Sequence, residues 1–120
     1  RLGVLTDAGS ITPHIEKTLS KLDGLVLEFN YDPNMLKDSK YPHSLKKRIA
    51  SSFGHLSNED AQNLLKKIYH DKLQVVVAAH LSQKNNSPEL VDKILKVFKE
   101  NSVKILIAKQ SKPTGWINLN

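Results

Sequence analysis

Four short apolar runs alternate along the chain with longer amphipathic segments, and this alternation limits the folds that the chain can adopt. Each run is bounded by polar or turn-forming residues, which is typical of a buried strand. The segments between them place apolar side chains three and four positions apart, as in helices with one buried face. Strands that alternate with helices predict an α/β layered domain. The predicted strands are Leu2–Thr6, Leu25–Phe29, Leu73–Ala79 and Val103–Ala108.

Capping residues indicate where the predicted helices begin. Thr12-Pro13 places a threonine at the N-cap and a proline at the first helical position. Ser57 with Asp60 has the spacing of a capping box. The sequence therefore predicts helices from Pro13, from Pro42 to about Ser51, from about Asn58 to Tyr69 and from Pro88 to Glu100, with a candidate helical turn at Asn34–Lys37 and a candidate last strand at Trp116-Ile117.

Length and composition bound the architecture. A chain of 120 residues can form one domain with a small core. The first apolar run begins directly after Arg1, so we expect residues 1–120 to be one partial domain of a longer protein. With no cysteine, any metal must be held by His, Asp, Glu or water. No apolar run approaches the roughly 18 residues of a membrane helix, no signal-peptide pattern is visible, and a cytoplasmic location is the expectation.

The net charge of +6 favours anionic partners such as phosphates or nucleic acid. The alternative is a basic surface that is simply solvated. Arg1 and Arg48 are the only arginines, which is few for a dedicated nucleic-acid module that depends on planar bidentate contacts.

A carboxylate and an imidazole each follow a predicted strand. Asp7 lies in Thr6-Asp7-Ala8-Gly9, and His80 follows the run that ends at Ala79. Sites in parallel sheets form where the strands end, so Asp7 is a candidate to bridge two cations and His80 a candidate metal ligand. The alternatives are an Asx turn and a packed strand-end histidine. We expect the two side chains to lie within about 10 Å of each other, a generous multiple of two zinc–ligand bonds.

His55 lies in a loop just before a predicted helix. It is a candidate general acid or phosphate contact, and the alternative is a loop histidine beside a helix cap. The other three histidines have no motif around them, and we expect His14, His43 and His70 to lie at the surface.

Taken in order, these segments resemble the metallo-β-lactamase-fold hydrolases of the YycJ/WalJ type, relatives of the cyclic-phosphate phosphodiesterases and of ribonuclease Z. No single motif is specific, but their order is, and the likeness spans about residues 2–95. It consists of Thr6-Asp7-Ala8-Gly9, Glu28-Phe29-Asn30-Tyr31-Asp32, Met35-Leu36, Tyr41-Pro42, Leu45-Lys46-Lys47-Arg48-Ile49, Gly54-His55-Leu56-Ser57-Asn58, and Ala79-His80-Leu81-Ser82 with Asn85-Asn86.

The resemblance implies the C-terminal half of an αββα sandwich, a mixed sheet flanked by helices, and a dinuclear metal-dependent phosphodiesterase or nuclease using zinc or manganese. Asp7 would bridge the two metals, His80 would be the last histidine ligand, and His55 would lie near the scissile phosphate. The family histidine after Asn30 is Tyr31 here, and its hydroxyl could donate a hydrogen bond. The polar residues expected to contact substrate or to orient the ligands are Asn30, Tyr31, Asp32, Ser57, Asn58, Ser82, Asn85 and Asn86.

The family's His-x-His-x-Asp-His motif does not occur in these 120 residues. Two ligands cannot close a catalytic zinc site, which usually has three protein ligands. We therefore expect the chain alone to be inactive and to bind metal weakly at best. We also expect it to self-associate, as a homo-oligomer or a domain swap, through the sheet face that a missing N-terminal half would cover. The rival hypothesis is a non-catalytic basic α/β module that binds nucleic acid or a protein partner, and neither reading involves a membrane.

Overall fold

The computed structural model describes all 120 residues as a four-stranded sheet with helices between the strands. The strands lie in chain order and every pairing is parallel. The α/β prediction is confirmed, but the predicted mixed sheet is wrong for these residues, because each connection contains a helix that returns the chain to the same end of the sheet. The strands are β1 Leu2–Leu5, β2 Gly24–Glu28, β3 Val75–Ala79 and β4 Lys104–Ile107.

Five helices connect the strands, and the caps predicted at Thr12 and Ser57 are confirmed. The hydroxyls of Thr12, Ser57 and Ser87 each accept a hydrogen bond from a backbone N–H in the first turn of the helix that follows. The first helix ends at Thr18, and the chain then turns toward β2 through Lys21, which has a φ of 57°. The helices are α1 Pro13–Thr18, α2 Pro33–Asp38, α3 His43–Ala50, α4 Asn58–Ile68 and α5 Pro88–Glu100.

The predicted strand at Trp116-Ile117 is wrong. The structure has no regular element after β4, and the Trp116 side chain is completely exposed. None of the helices is both long enough and apolar enough to cross a bilayer.

The two faces of the sheet differ in burial. Strands in chain order, joined by right-handed crossovers, carry their helices on one face. On that face Leu25, Leu27 and Val76 are completely buried within the hydrophobic core. On the opposite face, which we call the open face, Leu2 and Val4 of β1 are 63% and 61% exposed. The sheet thus shows one apolar face that the helices of this chain do not cover.

Adjacent valines of β3 test this assignment of faces. We expect Val76→Ala to lower the free energy of unfolding by roughly 2 kcal/mol, because it removes two buried methyl groups and leaves a cavity. The matched variant Val77→Ala, on the half-buried open side, should cost less than half as much. Chemical denaturation of the 120-residue chain measures both, and equal losses would mean that both faces are covered.

Candidate metal centre

Four side chains that can bind metal converge at the carboxyl edge of the sheet. Asp7, Glu28 and His80 come from the ends of β1, β2 and β3, and His55 comes from the loop between α3 and α4. One ligand atom from each lies within 4.8 Å of the others. Asp7 Oδ1 is 3.7 Å from Nδ1 of His80 and equally far from Nδ1 of His55. The predicted proximity of Asp7 and His80 is confirmed.

The backbone turns sharply at two of these residues. Asp7 and His80 have φ values of 58° and 59°, in the left-handed region that residues other than glycine seldom adopt. Such a conformation costs on the order of 1 kcal/mol and persists only where the surrounding structure enforces it. Both strands therefore end in the same unfavourable turn at the residue that contributes its side chain to the cluster.

Glu28 lies at the centre of the cluster and is completely buried. Its Oε1 is 3.1 Å from His55 Nδ1, is hydrogen-bonded to His80 Nδ1, and accepts the Asp7 backbone N–H at 3.3 Å. Its Oε2 accepts the Leu56 N–H at 3.0 Å. The sequence places Glu28 in the motif of residues 28–32 but did not predict it as a site residue, although an acidic residue that ends an apolar strand is a usable signal.

The hydrogen bonds to Glu28 determine which nitrogen of each ring is free. A carboxylate accepts, so each imidazole must donate through Nδ1–H, and in a neutral ring the Nε2 lone pair is then available. Histidines that bind metal commonly have this arrangement, since a carboxylate on the other nitrogen fixes the tautomer. Glu28 is thus better placed to orient His55 and His80 than to bind a metal itself.

The remaining donors fit a divalent metal ion. Carboxylate oxygens and imidazole nitrogens are ligands that both zinc and manganese accept, and one such atom of Asp7 lies within 4.8 Å of one of His80. Asp7 is 65% exposed, so both of its oxygens can be reached. The cluster can therefore hold a metal, but it supplies fewer ligands than two metal ions need.

Comparisons with known proteins bear on the family and the fold of this chain. No family model matches the chain. Exodeoxyribonuclease YycJ of Bacillus anthracis is 36% identical over 90 residues, which cover 75% of this chain and 34% of that protein. Exodeoxyribonuclease WalJ of Streptococcus pneumoniae serotype 2 is 34% identical over 87 residues, which cover 72% of this chain and 32% of that protein.

The chain is a distant homologue of the YycJ/WalJ exodeoxyribonucleases. It spans about a third of the length of these curated relatives. Among solved structures, a diphosphatase from the PhnP family matches 98% of this chain and 36% of its own chain, with a TM-score of 0.51 and 18% identity. That match shows that the four-stranded sheet and its helices correspond to part of a metallo-β-lactamase fold.

In this YycJ/WalJ homologue, Asn58 and Asn86 form a buried hydrogen-bonded pair. The amide groups of Asn58 and Asn86 donate to each other at 2.8 and 2.9 Å, and Asn86 also donates to the Phe29 carbonyl at 2.8 Å. Phe29 follows Glu28, Asn58 lies three residues after His55, and Asn86 belongs to the loop after His80. The pair therefore ties together the three segments that carry Glu28 and both histidines.

The other polar residues that the sequence of this chain predicted for the site divide into two groups. Ser82, Asn85 and Asn30 line a cleft of about 370 Å³ that also includes His55 and His80, and Asn30 donates from its side chain to the His80 carbonyl at 2.8 Å. The second group lies outside this cleft. It consists of Ser57, which caps α4, Asp32, which caps α2, and Tyr31, which lines a separate cavity beside α2 and α3.

Tyr31 is neutral over the physiological range. Burial raises the pKa of its hydroxyl, and the negative charge of Asp60 raises that pKa further. Tyr31 can therefore donate a hydrogen bond but cannot act as a base at neutral pH.

The three histidines outside the cluster were all predicted to lie at the surface, and the structure agrees for two of them. His14 and His43 are exposed, as expected. His70 is half-buried, with Nε2 2.7 Å from the Leu22 carbonyl, so its assignment to the surface is wrong. The carbonyl that its ring contacts belongs to the loop before β2. A contact between residues so far apart in the chain cannot be seen in sequence patterns.

A glycine lets the His55 loop pack against the preceding helix. A Cβ on Gly54 would lie 2.2 Å from the Ile49 carbonyl oxygen and 2.4 Å from that of Arg48. The next backbone N–H, that of His55, donates to the Ile49 oxygen at 2.9 Å. A side chain at position 54 would clash with this backbone and disturb the segment that carries His55.

Glu28→Gln tests the orienting role. We expect zinc affinity of the full-length protein to fall by about 10- to 100-fold, as when other partners of metal-binding histidines are removed. The fold should persist, because glutamine keeps the volume of the side chain. Competition with a chelating indicator measures the affinity. Glu100→Gln, exposed at the end of α5, is the matched control, and an unchanged affinity in both variants would refute the role.

The Asn58–Asn86 pair predicts non-additive stability losses. Asn58→Ala should cost about 1–3 kcal/mol of unfolding free energy, because it leaves a buried amide without its partner. Asn86→Ala should cost at least as much, and the double variant should cost less than the sum of the two. Denaturant unfolding of the four proteins gives the coupling energy. Asn63→Ala, exposed on α4, should be nearly neutral, and additive losses would show that the pair does not act as a unit.

Proposed function

We propose that this chain is part of a dinuclear metal-dependent phosphodiesterase, and more specifically of an exodeoxyribonuclease. The observation that carries the proposal is the convergence of Asp7, His55 and His80 around the buried Glu28. The curated relatives, which are named exodeoxyribonucleases, support the finer assignment.

Asp7 and His80 would hold metal, and His55 would act on the substrate. Bound divalent ions supply a nucleophilic hydroxide at neutral pH and stabilise the negative charge that develops on phosphate. Asp7 offers two carboxylate oxygens and His80 offers Nε2. His55 keeps its Nδ1 toward Glu28, so that a protonated His55 presents Nε2–H to the leaving oxygen. The Glu28 carboxylate stabilises that imidazolium while it is charged.

The further ligands of a second metal would come from outside residues 1–120. Glu28 lies on the same face of β2 as Val26, which is the open face of the sheet. A second layer packed on that face, from the rest of the protein or from another copy, would reach the edge where the cluster lies. We propose that this layer both covers the apolar face and completes the coordination.

The distribution of charge supports an extended anionic substrate. Residues 33–50 contain five cationic side chains and one acidic side chain. This segment contains α2 and α3 and leads directly into the loop that carries His55. A polyanion such as DNA would be attracted along this surface toward the cluster. The cationic residues are Lys37, Lys40, Lys46, Lys47 and Arg48.

Histidine variants of the full-length protein separate the two roles. We expect His55→Ala to lower turnover of a DNA phosphodiester by roughly 10²–10⁴, the range for a general acid or base, with little loss of bound metal. His80→Ala should lose turnover and metal together, because it removes a ligand. Metal content by atomic emission and hydrolysis of a labelled oligonucleotide measure the two effects. His14→Ala, exposed on α1, should change neither.

Two results would contradict this assignment. If His55→Ala lost metal as severely as His80→Ala, His55 would be a ligand rather than a substrate contact. If the full-length protein bound DNA without metal-dependent hydrolysis, and binding survived both histidine changes, the chain would belong to the rival class, a basic binding module.

A further inference from the structure

We propose that the cleft beside His55 and His80 is a nucleotide subsite, in which Lys84 binds a phosphate and Tyr41 packs against the attached base. The proposal rests on the proposed function and names the residues that would hold the substrate. It concerns a cleft whose lining includes both histidines but neither Asp7 nor Glu28.

The cleft has the size and polarity that a nucleotide needs. Its volume of about 370 Å³ falls within the range of ligand sites. No aspartate or glutamate is among its lining residues, although two carboxylates lie just beyond the histidines. Side-chain amides of Asn30, Gln83 and Gln110 line it instead. These groups can hydrogen-bond a sugar or a base without repelling a phosphate.

Lys84 is the only ammonium in the cleft lining. It is exposed, and no carboxylate forms an ion pair with it. Its Nζ lies 5.8 Å from the centroid of the Tyr41 ring, within the range of a cation–π contact. That contact holds the ammonium near the cleft and leaves its charge free for an anion.

Tyr41 supplies a flat aromatic ring, and the Lys84 ammonium lies over one of its faces. Its ring is half-buried, and Pro42 at the N-cap of α3 fixes the backbone on one side. On the other side the Tyr41 N–H donates to the Ser39 hydroxyl at 3.4 Å. An aromatic ring beside a lysine is the pairing that proteins use to bind single-stranded nucleic acid, because every base has a face that can stack.

A buried amide in the cleft lining lacks a partner. Asn85 is 2% exposed, and its side-chain oxygen accepts no hydrogen bond from the chain. Buried polar atoms are almost always paired. The oxygen is itself covered by the protein, so a molecule in the cleft does not reach it, and the subsite does not depend on this atom.

The position of the cleft explains what the subsite would accomplish. Tyr41 and Lys84 share the cleft with His55 and His80. A nucleotide seated against Tyr41 therefore places its phosphodiester beside the cluster. The subsite would position the end of a strand for cleavage.

Binding of short oligonucleotides to the full-length protein in EDTA tests the proposal without metal or turnover. The probes are a fluorescent oligothymidylate and an abasic oligomer of equal length, measured by anisotropy. We expect Tyr41→Ala to weaken oligothymidylate binding about tenfold, in line with the loss of one stacked base, with little change for the abasic probe. Tyr41→Phe should restore the affinity, because the ring is what stacks.

Lys84→Gln should weaken the binding of both probes to the same extent. It should also reduce the slope of log affinity against log salt by about 0.7, the value for one phosphate on a single strand. Lys96→Gln, exposed on α5 and outside the cleft lining, is the matched control and should leave the slope unchanged within error.

The outcomes separate this proposal from the proposed function. The subsite would be refuted if both cleft variants bound the probes with wild-type affinity. It would also be refuted if the wild-type protein bound neither probe. Either result would hold even if the protein hydrolyses DNA in the presence of metal. An equal effect of Tyr41→Ala on both probes would also overturn it, because stacking needs a base. The expected pattern of binding without metal-dependent hydrolysis would support the subsite and refute the phosphodiesterase.

Discussion

The buried carboxylate of Glu28 is the interaction on which the rest of the site depends. Removing a carboxylate from water is costly unless hydrogen bonds or opposite charge replace the lost hydration. Glu28 has four partners, the backbone N–H groups of Asp7 and Leu56 and the Nδ1 atoms of His55 and His80. The partners belong to three segments that are far apart in the chain. The contacts that keep the charge in place therefore also assemble the cluster, and neither can be lost alone.

The side-chain amides of Asn58 and Asn86 help to fix the positions of the segments that carry Glu28 and the histidines. Sites that bind metals or stabilise charge work when their groups are held to within about half an ångström. Asn58 and Asn86 exchange hydrogen bonds, and Asn86 also donates to the backbone after β2, so the segments around Glu28 are held together. Directional amide bonds fix distances that apolar packing would leave adjustable. This explains why two polar side chains are nearly completely buried in so small a core.

Local patterns in the sequence predicted the strands, the helix caps and the meeting of Asp7 with His80. Those features depend on neighbours within a few residues, together with the rule that parallel strands end at one edge. Asn58 and Asn86 were predicted as site residues, but their pairing and the role of Glu28 could not be predicted in the same way. The partners of Glu28 lie 27 and 52 residues away, and Asn58 lies 28 residues from Asn86. Tyr31 and Asp32 show the converse, since they lie next to site residues in sequence but face α2 instead.

The location of the cluster connects stability with the proposed chemistry. Leu2 and Val4 are exposed on the open face of the sheet, and Glu28 ends the neighbouring strand on that same face. On the proposed function, one layer of structure would bury Leu2 and Val4 and bring the remaining ligands to Asp7 and His80. Metal binding and the packing of that layer would then stabilise each other, since a metal that binds only the assembled state favours assembly. Affinity for metal would report on assembly of the whole fold as much as on the four side chains described in this chain.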